Sequence, residues 1–265
     1  MRVNFGYFGP WLGGKRCTYQ LRLDMVQTNE ILTKAVRMIK DANARLGHDL
    51  GWSFTLSPSS ALVPDPPMMI VGLNPGGKSP RPIRISSEEG NRLKFPPPPD
   101  QPDKPFRLQL CALFKLIASA IGSPNAWGNL LDSTPTLNFC PFRMKWPPKR
   151  SRAETIEFCR SWWDYLASQV QPHVIICVGK EAYDEIMAAY CRIGFTVKPG
   201  KFIRTGWGDT CFRYRFLTGP TRTSVIFRLP HVSWVKVFEA EKYRIPCERL
   251  ARRIAENLLA SVSRH

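Results

Sequence analysis

The chain has 265 residues, 43% of them hydrophobic and 8 of them Trp, a make-up that fits a folded globular domain and excludes a disordered or fibrous chain. Lys and Arg number 38 against 21 Asp and Glu, and a net charge of +17 calls for a polyanionic partner: nucleic acid first, with an anionic membrane surface as the rival. No stretch approaches the roughly 20 apolar residues that span a bilayer, the first residues lack an apolar leader, and the 8 Cys never form a Cys-x-x-Cys pair, so a reduced, cytoplasmic protein without a clustered metal site is expected.

Residues 1–27 are aromatic and basic without clear period, and they read as an arm laid on a single domain occupying 28–265. Thr28 has the chemistry of an N-cap, and Ile31, Leu32, Ala35, Val36 and Ile39 follow at helical spacing to about Leu46. Met68-Met69-Ile70-Val71 reads as a buried strand ending in a glycine turn. Residues 78–105 form a long Pro-rich, basic connection, of a kind that is functional or mobile in compact domains. Leu108, Cys111 and Phe114 mark a second helix ending near Gly122, and residues 136–139 a second short strand.

Ser151-Arg152-Ala153-Glu154 is a capping box that opens a helix through Trp162, Trp163 and Leu166. Residues 174–178 are a fully apolar strand, turned by Gly179 into a helix over 180–190. Residues 225–227 form the last inner strand, and 247–259 a closing amphipathic helix. Strands alternating with helices predict a three-layer α/β/α fold around a mainly parallel sheet. A basic insertion interrupts this pattern at about 191–224. Within it, Phe212-Arg213-Tyr214-Arg215-Phe216 alternates aromatic and basic, giving either a soluble edge hairpin or a surface on which Arg213 and Arg215 track DNA phosphates.

Gly72-Leu73-Asn74-Pro75-Gly76-Gly77-Lys78-Ser79 satisfies every fixed position of the nucleotide-binding phosphate loop and follows a strand. That loop works because a helix starting at its Lys-Ser points free N–H groups at the phosphates. Here Pro80 and Pro82 follow at once, which opposes a continuing helix. The strand at 174–178 also ends in Gly179, not in an Asp able to hold magnesium. An NTPase is therefore the weakest of three readings, behind a DNA-acting enzyme and a non-catalytic DNA-binding module.

Three short polar segments each follow an apolar strand: Gly72-Leu73-Asn74-Pro75-Gly76, Asn138-Phe139-Cys140-Pro141-Phe142-Arg143, and His231-Val232-Ser233-Trp234. In a parallel sheet they gather at one edge, where open α/β sheets place ligands. In this order they resemble the motifs of the uracil-DNA glycosylase superfamily, nearest its single-strand-selective and mismatch-specific branches. Those have Gly-x-Asn-Pro-Gly, then Asn-x-Cys-Pro, then His-Pro-Ser. Val232 departs from the pattern by replacing the usual Pro. The resemblance covers residues 68–260 and disfavours the iron–sulfur branches, whose cysteine spacing is missing.

The resemblance implies a glycosylase that flips a base out of DNA, single- or double-stranded, and hydrolyses its N-glycosidic bond without metal or cofactor. No obligatory protein partner is implied, and no membrane. Asn74 would position the water, and His231 would donate to the departing base oxygen. Asn138 would read the Watson–Crick edge. Gly72 and Gly76 would let the backbone approach the base, with Phe95 as the stacking aromatic. Trp234 or Val235 would fill the gap left by the extruded base, unless Trp234 merely caps the core, and Ser233, Lys236, Arg143 and Lys145 would contact the DNA. Strict uracil enzymes of the superfamily carry a bulky Tyr beside pyrimidine C5, where this chain has Gly76. The expected substrates are therefore uracil and 5-substituted pyrimidines, extending to hydroxymethyl- and glucosyl-cytosines, in base-excision repair or in defence against modified phage DNA.

Overall fold

The computed structural model describes residues 18–77, 79–100, 102–144, 152–220 and 222–262. Their centre is one six-stranded sheet: β1 (Met68–Gly72), β2 (Thr136–Asn138), β3 (Val174–Val178), β4 (Thr196–Arg204), β5 (Cys211–Thr218) and β6 (Thr223–Leu229), in the order β2-β1-β3-β6-β5-β4. The first four in that order are parallel, and β5 and β4 extend the sheet as an antiparallel hairpin. β1 and β3 are wholly buried, which is why they read as unbroken apolar runs.

Alternate residues of these strands feed two separate cores. Met69, Val71, Leu137, Ile175, Cys177 and Ile226 face α1 (Thr18–Leu46), α4 (Arg152–Gln169) and α5 (Lys180–Arg192). Met68, Ile70, Ile176, Val178, Phe227 and Leu229 face α2 (Pro105–Ala120), α3 (Trp127–Asp132) and α6 (Arg244–Val262). This is the expected three-layer α/β/α arrangement. Each fully buried Leu, Ile or Phe contributes about 1.5–3 kcal/mol of transfer free energy, and both layers hold many of them.

Two local features differ from the sequence reading. α1 begins at Thr18, not near Thr28. Thr28 is buried within the helix, and the preceding Leu, Arg, Met and Gln are good helix formers with no Gly or Pro among them. Residues 1–17 of the expected arm and Ser151 of the expected capping box lie outside the described residues. Last, the Pro-rich connection is pinned. Phe54 and Thr55 donate to the carbonyls of Arg84 and Ile85, and Ser87 and Arg92 to those of Ser57 and Leu56. Ser53 and Leu56 in turn donate to Pro141 and Thr136, so residues 52–57 lace this loop to β2.

The seam closes around His48, whose ring stacks on Phe142 with centroids 4.2 Å apart, and whose Nε2 lies 3.3 Å from Thr155 Oγ1. Burial pulls its pKa below the usual 6.5, while Asp49 pulls the other way. The neutral ring is the form that folding favours. Its contribution is complete above 6.5 and is lost as pH falls through the lower folded value. Thermal melts from about pH 8 to about pH 5 should therefore show the native chain losing stability on acidification faster than a His48→Gln variant. Parallel curves would place the acid sensitivity elsewhere.

Candidate active site

Because β2, β1, β3 and β6 run the same way, the residues that follow them share one edge. Gly72 pairs with Asn138 in the β1–β2 ladder, so the first and second polar segments start side by side. A Cβ on Gly72 would lie 2.7 Å from Asn138 Oδ1, and the Asn138 carboxamide occupies the space this glycine leaves. Phe139 and Cys140 donate to the carbonyls of Gly72 and Leu73 (2.8 Å each), which ties the two turns together. From α4, buried Trp163 donates through Nε1 to the Phe139 carbonyl at 2.9 Å.

Asn74 stands half-buried two residues beyond β1, and its Nδ2 donates to the Met144 carbonyl at 2.7 Å. Only the amide nitrogen can meet a carbonyl, so this bond orients the side chain, and Oδ1 has no hydrogen bond among the described residues. Gly76 and Gly77 both have positive φ, +61° and +108°. The Gly76 carbonyl accepts from Arg143 Nη1 at 2.6 Å, and that guanidinium fills the place where a Cβ of Gly77 would sit. Around Gly76 itself a Cβ would meet no heavy atom within 4 Å. Residues 79–83 form no helix, so the phosphate-loop pattern lacks the helix that would give it its chemistry.

His231 follows β6 and is exposed, and its Cδ2 lies 3.9 Å from where a Cβ of Gly179 would stand. Gly179 joins β3 to α5 as the helix N-cap, so the positive end of that helix also points at this edge. The ends of β1 and β6 are two strand spacings apart, about 10 Å, with the Gly179 turn that follows β3 between them. Val232 is fully buried and anchors the loop by its apolar side chain. Trp234 and Val235 both donate to the His231 carbonyl (2.9 and 3.2 Å), which curls the loop into a turn. At its tip Trp234 is 78% exposed and caps no core, whereas Val235 packs on the α6-side core. Ser233 is half-buried and Lys236 exposed beside it.

The remaining candidates are more dispersed. Phe95 is half-buried just after a short 3-10 turn, with the Lys94 ammonium 5.9 Å from its ring, and no described contact joins it to Asn74, Asn138 or His231. Arg213 and Arg215 project exposed from β5. Lys145 lies outside the described residues, as do Lys78, Lys149 and Arg150.

A cationic cluster escaped the sequence reading, which named Arg143 as a DNA contact but gave no role to Arg81, Arg84 or Arg92. Partial burial, with the like charges of Arg81 and Arg84 beside it, pulls the Arg143 pKa down. Arg84 is lowered the same way, by burial and by Arg92 and Arg81. None of these four arginines forms an ion pair among the described residues. Cys140, by contrast, is a core residue: it is fully buried, with Cys159 beside it, and burial drives the Cys159 thiol far up. Among the described residues no three His, Cys, Asp or Glu gather as a metal site, and no helix is long and apolar enough to cross a membrane.

This layout of Gly72, Asn74, Asn138 and His231 along one parallel edge coincides with a match of residues 60–251 to the family described as the uracil DNA glycosylase superfamily. The chain belongs to that superfamily. A search of curated proteins finds no match. Membership supports DNA glycosylase activity in general, and DNA binding with it. Within the superfamily fold, Gly72 carries a sharp expectation. Gly72→Ala meets only the movable end of Asn138, so the melting temperature should change little. Base excision should fall about tenfold or more as the carboxamide is displaced. An active variant would show that Asn138 does not read the base.

Proposed function

We propose that this superfamily member hydrolyses the N-glycosidic bond of a flipped uracil or 5-substituted pyrimidine and leaves an abasic site. The observation that carries the reading is the placement of an oriented Asn74 across the Gly179 turn from His231, whose ring meets the Trp234 edge at 6.4 Å and has no side-chain hydrogen bond among the described residues. Asn74 Oδ1 accepts from the water. As an amide it barely lowers the water's pKa, so the main stabilisation falls on the leaving group. His231, with no side-chain hydrogen bond among the described contacts, donates to the pyrimidine oxygen on which negative charge develops. Asn138 pairs with the base edge.

The open space around Gly76 supports acceptance of groups at C5, in keeping with removal of damaged bases in repair or of modified bases in phage DNA. Trp234 enters the stack where the base has left, an apolar wedge that offsets the cost of unstacking. Arg143 with Arg81 and Arg84, Ser233 and Lys236 meet the phosphates. None of the three motifs contains a Lys, which favours simple hydrolysis over a Schiff-base lyase step.

Oligonucleotides bearing uracil, hydroxymethyluracil or modified cytosines, incubated in metal-free buffer and then cleaved with alkali, test this directly. Strand breaks should appear, and His231→Ala and Asn74→Ala should each slow them by about 100- to 1,000-fold while DNA affinity changes little. Tight DNA binding with no breaks on any substrate would leave the chain a non-catalytic binding module. For the C5 side, Gly76→Asn uses a residue that tolerates positive φ. It should depress turnover on 5-substituted bases several-fold more than on uracil. An equal loss on both would remove Gly76 from the specificity argument.

A further inference from the structure

Away from the motif residues, α5 and the β4–β5 hairpin enclose a groove of about 450 Å³. Lys180, Lys201, Arg213, Arg215 and Arg228 line it, and its one carboxylate, Asp184, is held by Lys180 at 2.5 Å. The other four cations enter no ion pair among the described residues. Arg213 Nε reaches Cys211 Sγ at 3.3 Å, and Arg215 Nη1 reaches Met187 Sδ at 3.9 Å. Sulfur is a weak acceptor, so most of the guanidinium donors remain available.

An aromatic stands among these charges. Phe202 pairs with Arg213 and Arg213 with Arg228, so the three form one row across β4, β5 and β6. The row continues to Cys177 in the α5-side core, which fixes the face it occupies. Phe202 is 60% exposed. Its presence there depends on the irregularity between Lys198 and Lys201. Without that extra residue Lys201 would oppose Arg213, and Phe202 would turn to the other face. Gly200 makes the irregularity possible, because a Cβ there would run into the Tyr214 carbonyl.

The groove adjoins the candidate active site. Arg228 precedes His231 by three residues on β6 and its exit, and Lys180 follows the Gly179 on which the His231 ring lies. Cations without a carboxylate partner recognise phosphates, and an exposed ring among them offers a platform for a base. A paired base inside a duplex hides both faces, so the ring suits an unpaired base.

We propose that this groove binds an unpaired stretch of the DNA strand next to the target nucleotide. Phe202 stacks on a base, and Arg213, Arg215 and Arg228 hold the phosphates. The inference rests on the glycosylase reading for the position of the target, but its own binding does not require catalysis. The protein then favours targets that lie beside a gap, a tail or a single-stranded region.

Fluorescence anisotropy on the full chain with oligonucleotides lacking any target base tests the groove alone. The probes are a blunt duplex and the same duplex with a 5′ or a 3′ single-stranded tail. One tailed probe should bind more tightly than the blunt one. Phe202→Ala should weaken that probe by about 5- to 150-fold, the equivalent of 1–3 kcal/mol for one stacked base. Arg213→Gln should lower the salt dependence by about one phosphate contact. Phe202 is exposed on an edge strand, so its truncation leaves the fold intact, which a melting curve verifies. Equal affinity for blunt and tailed probes would overturn the proposal, as would equal losses on both in Phe202→Ala. Excision that persists beside either result would leave the proposed function standing. Tail binding without excision on any substrate would do the reverse.

Discussion

In a parallel pair of strands, the residue that leaves one strand lies beside the residue that leaves its neighbour. The ladders β2–β1, β1–β3 and β3–β6 apply this rule three times. Burial holds the ladders in place, since β1 and β3 are covered on both faces and cannot slip by one residue without exchanging the two cores. Asn138, Asn74, Gly179 and His231 are thereby delivered to one edge from segments that lie far apart in the chain. No hydrogen bond between Asn74 and His231 is required. Each is positioned by its own strand exit, the first by Met144 and the second by the buried anchor Val232.

The same topology sorts the charges. At the opposite end of the sheet, where β1, β3 and β6 begin, Asp65 pairs with Arg222 and lies 3.3 Å from His173. At the functional edge Arg81, Arg84, Arg92 and Arg143 stand together without a carboxylate in the described ion pairs, and partial burial presses on Arg84 and Arg143. Like charges brought together and partly dehydrated cost free energy in the unliganded protein. A polyanion bound there would relieve that cost. The net charge of +17 is thus a location as well as a quantity.

Much of this was legible in the sequence, and the omissions have physical reasons. The apolar runs of β1, β3 and β6 stood out because strands buried on both faces carry no polar alternation. The three polar segments were found because each directly follows such a run. By contrast β4 is polar or exposed along nearly its whole length and shows no period to read. α1 starts early because its first turns contain no breaker, and an internal Thr imitated a cap. The lacing of residues 52–57 to the Pro-rich loop is a backbone matter, invisible to side-chain patterns. Contacts across distant segments were also hidden: Arg143 on Gly76, the Asn138 carboxamide over Gly72, and the row of Phe202, Arg213 and Arg228 set by a single extra residue.

The chemistry of the edge narrows what such a site does well. Its water would be held by an amide, and the three motifs contain no carboxylate to take the proton early. Bond breaking must then run ahead of attack, toward an oxocarbenium-like sugar and an anionic base. On the proposed reading, the barrier would follow how well the base bears negative charge and how much of that charge His231 and the positive end of α5 absorb. Uracil-type bases, with an oxygen beside the breaking bond and another across the ring, suit this better than an unassisted cytosine. A cytosine-type substrate demands more from the protein than the donor at His231. The Asn138 carboxamide has no described protein hydrogen bond that would impose one orientation on it, so it can present either its acceptor or its donor to the base edge. On the proposed reading, selectivity among pyrimidines would rest on leaving-group stability and the space beside Gly76, not on a fixed pattern of hydrogen bonds.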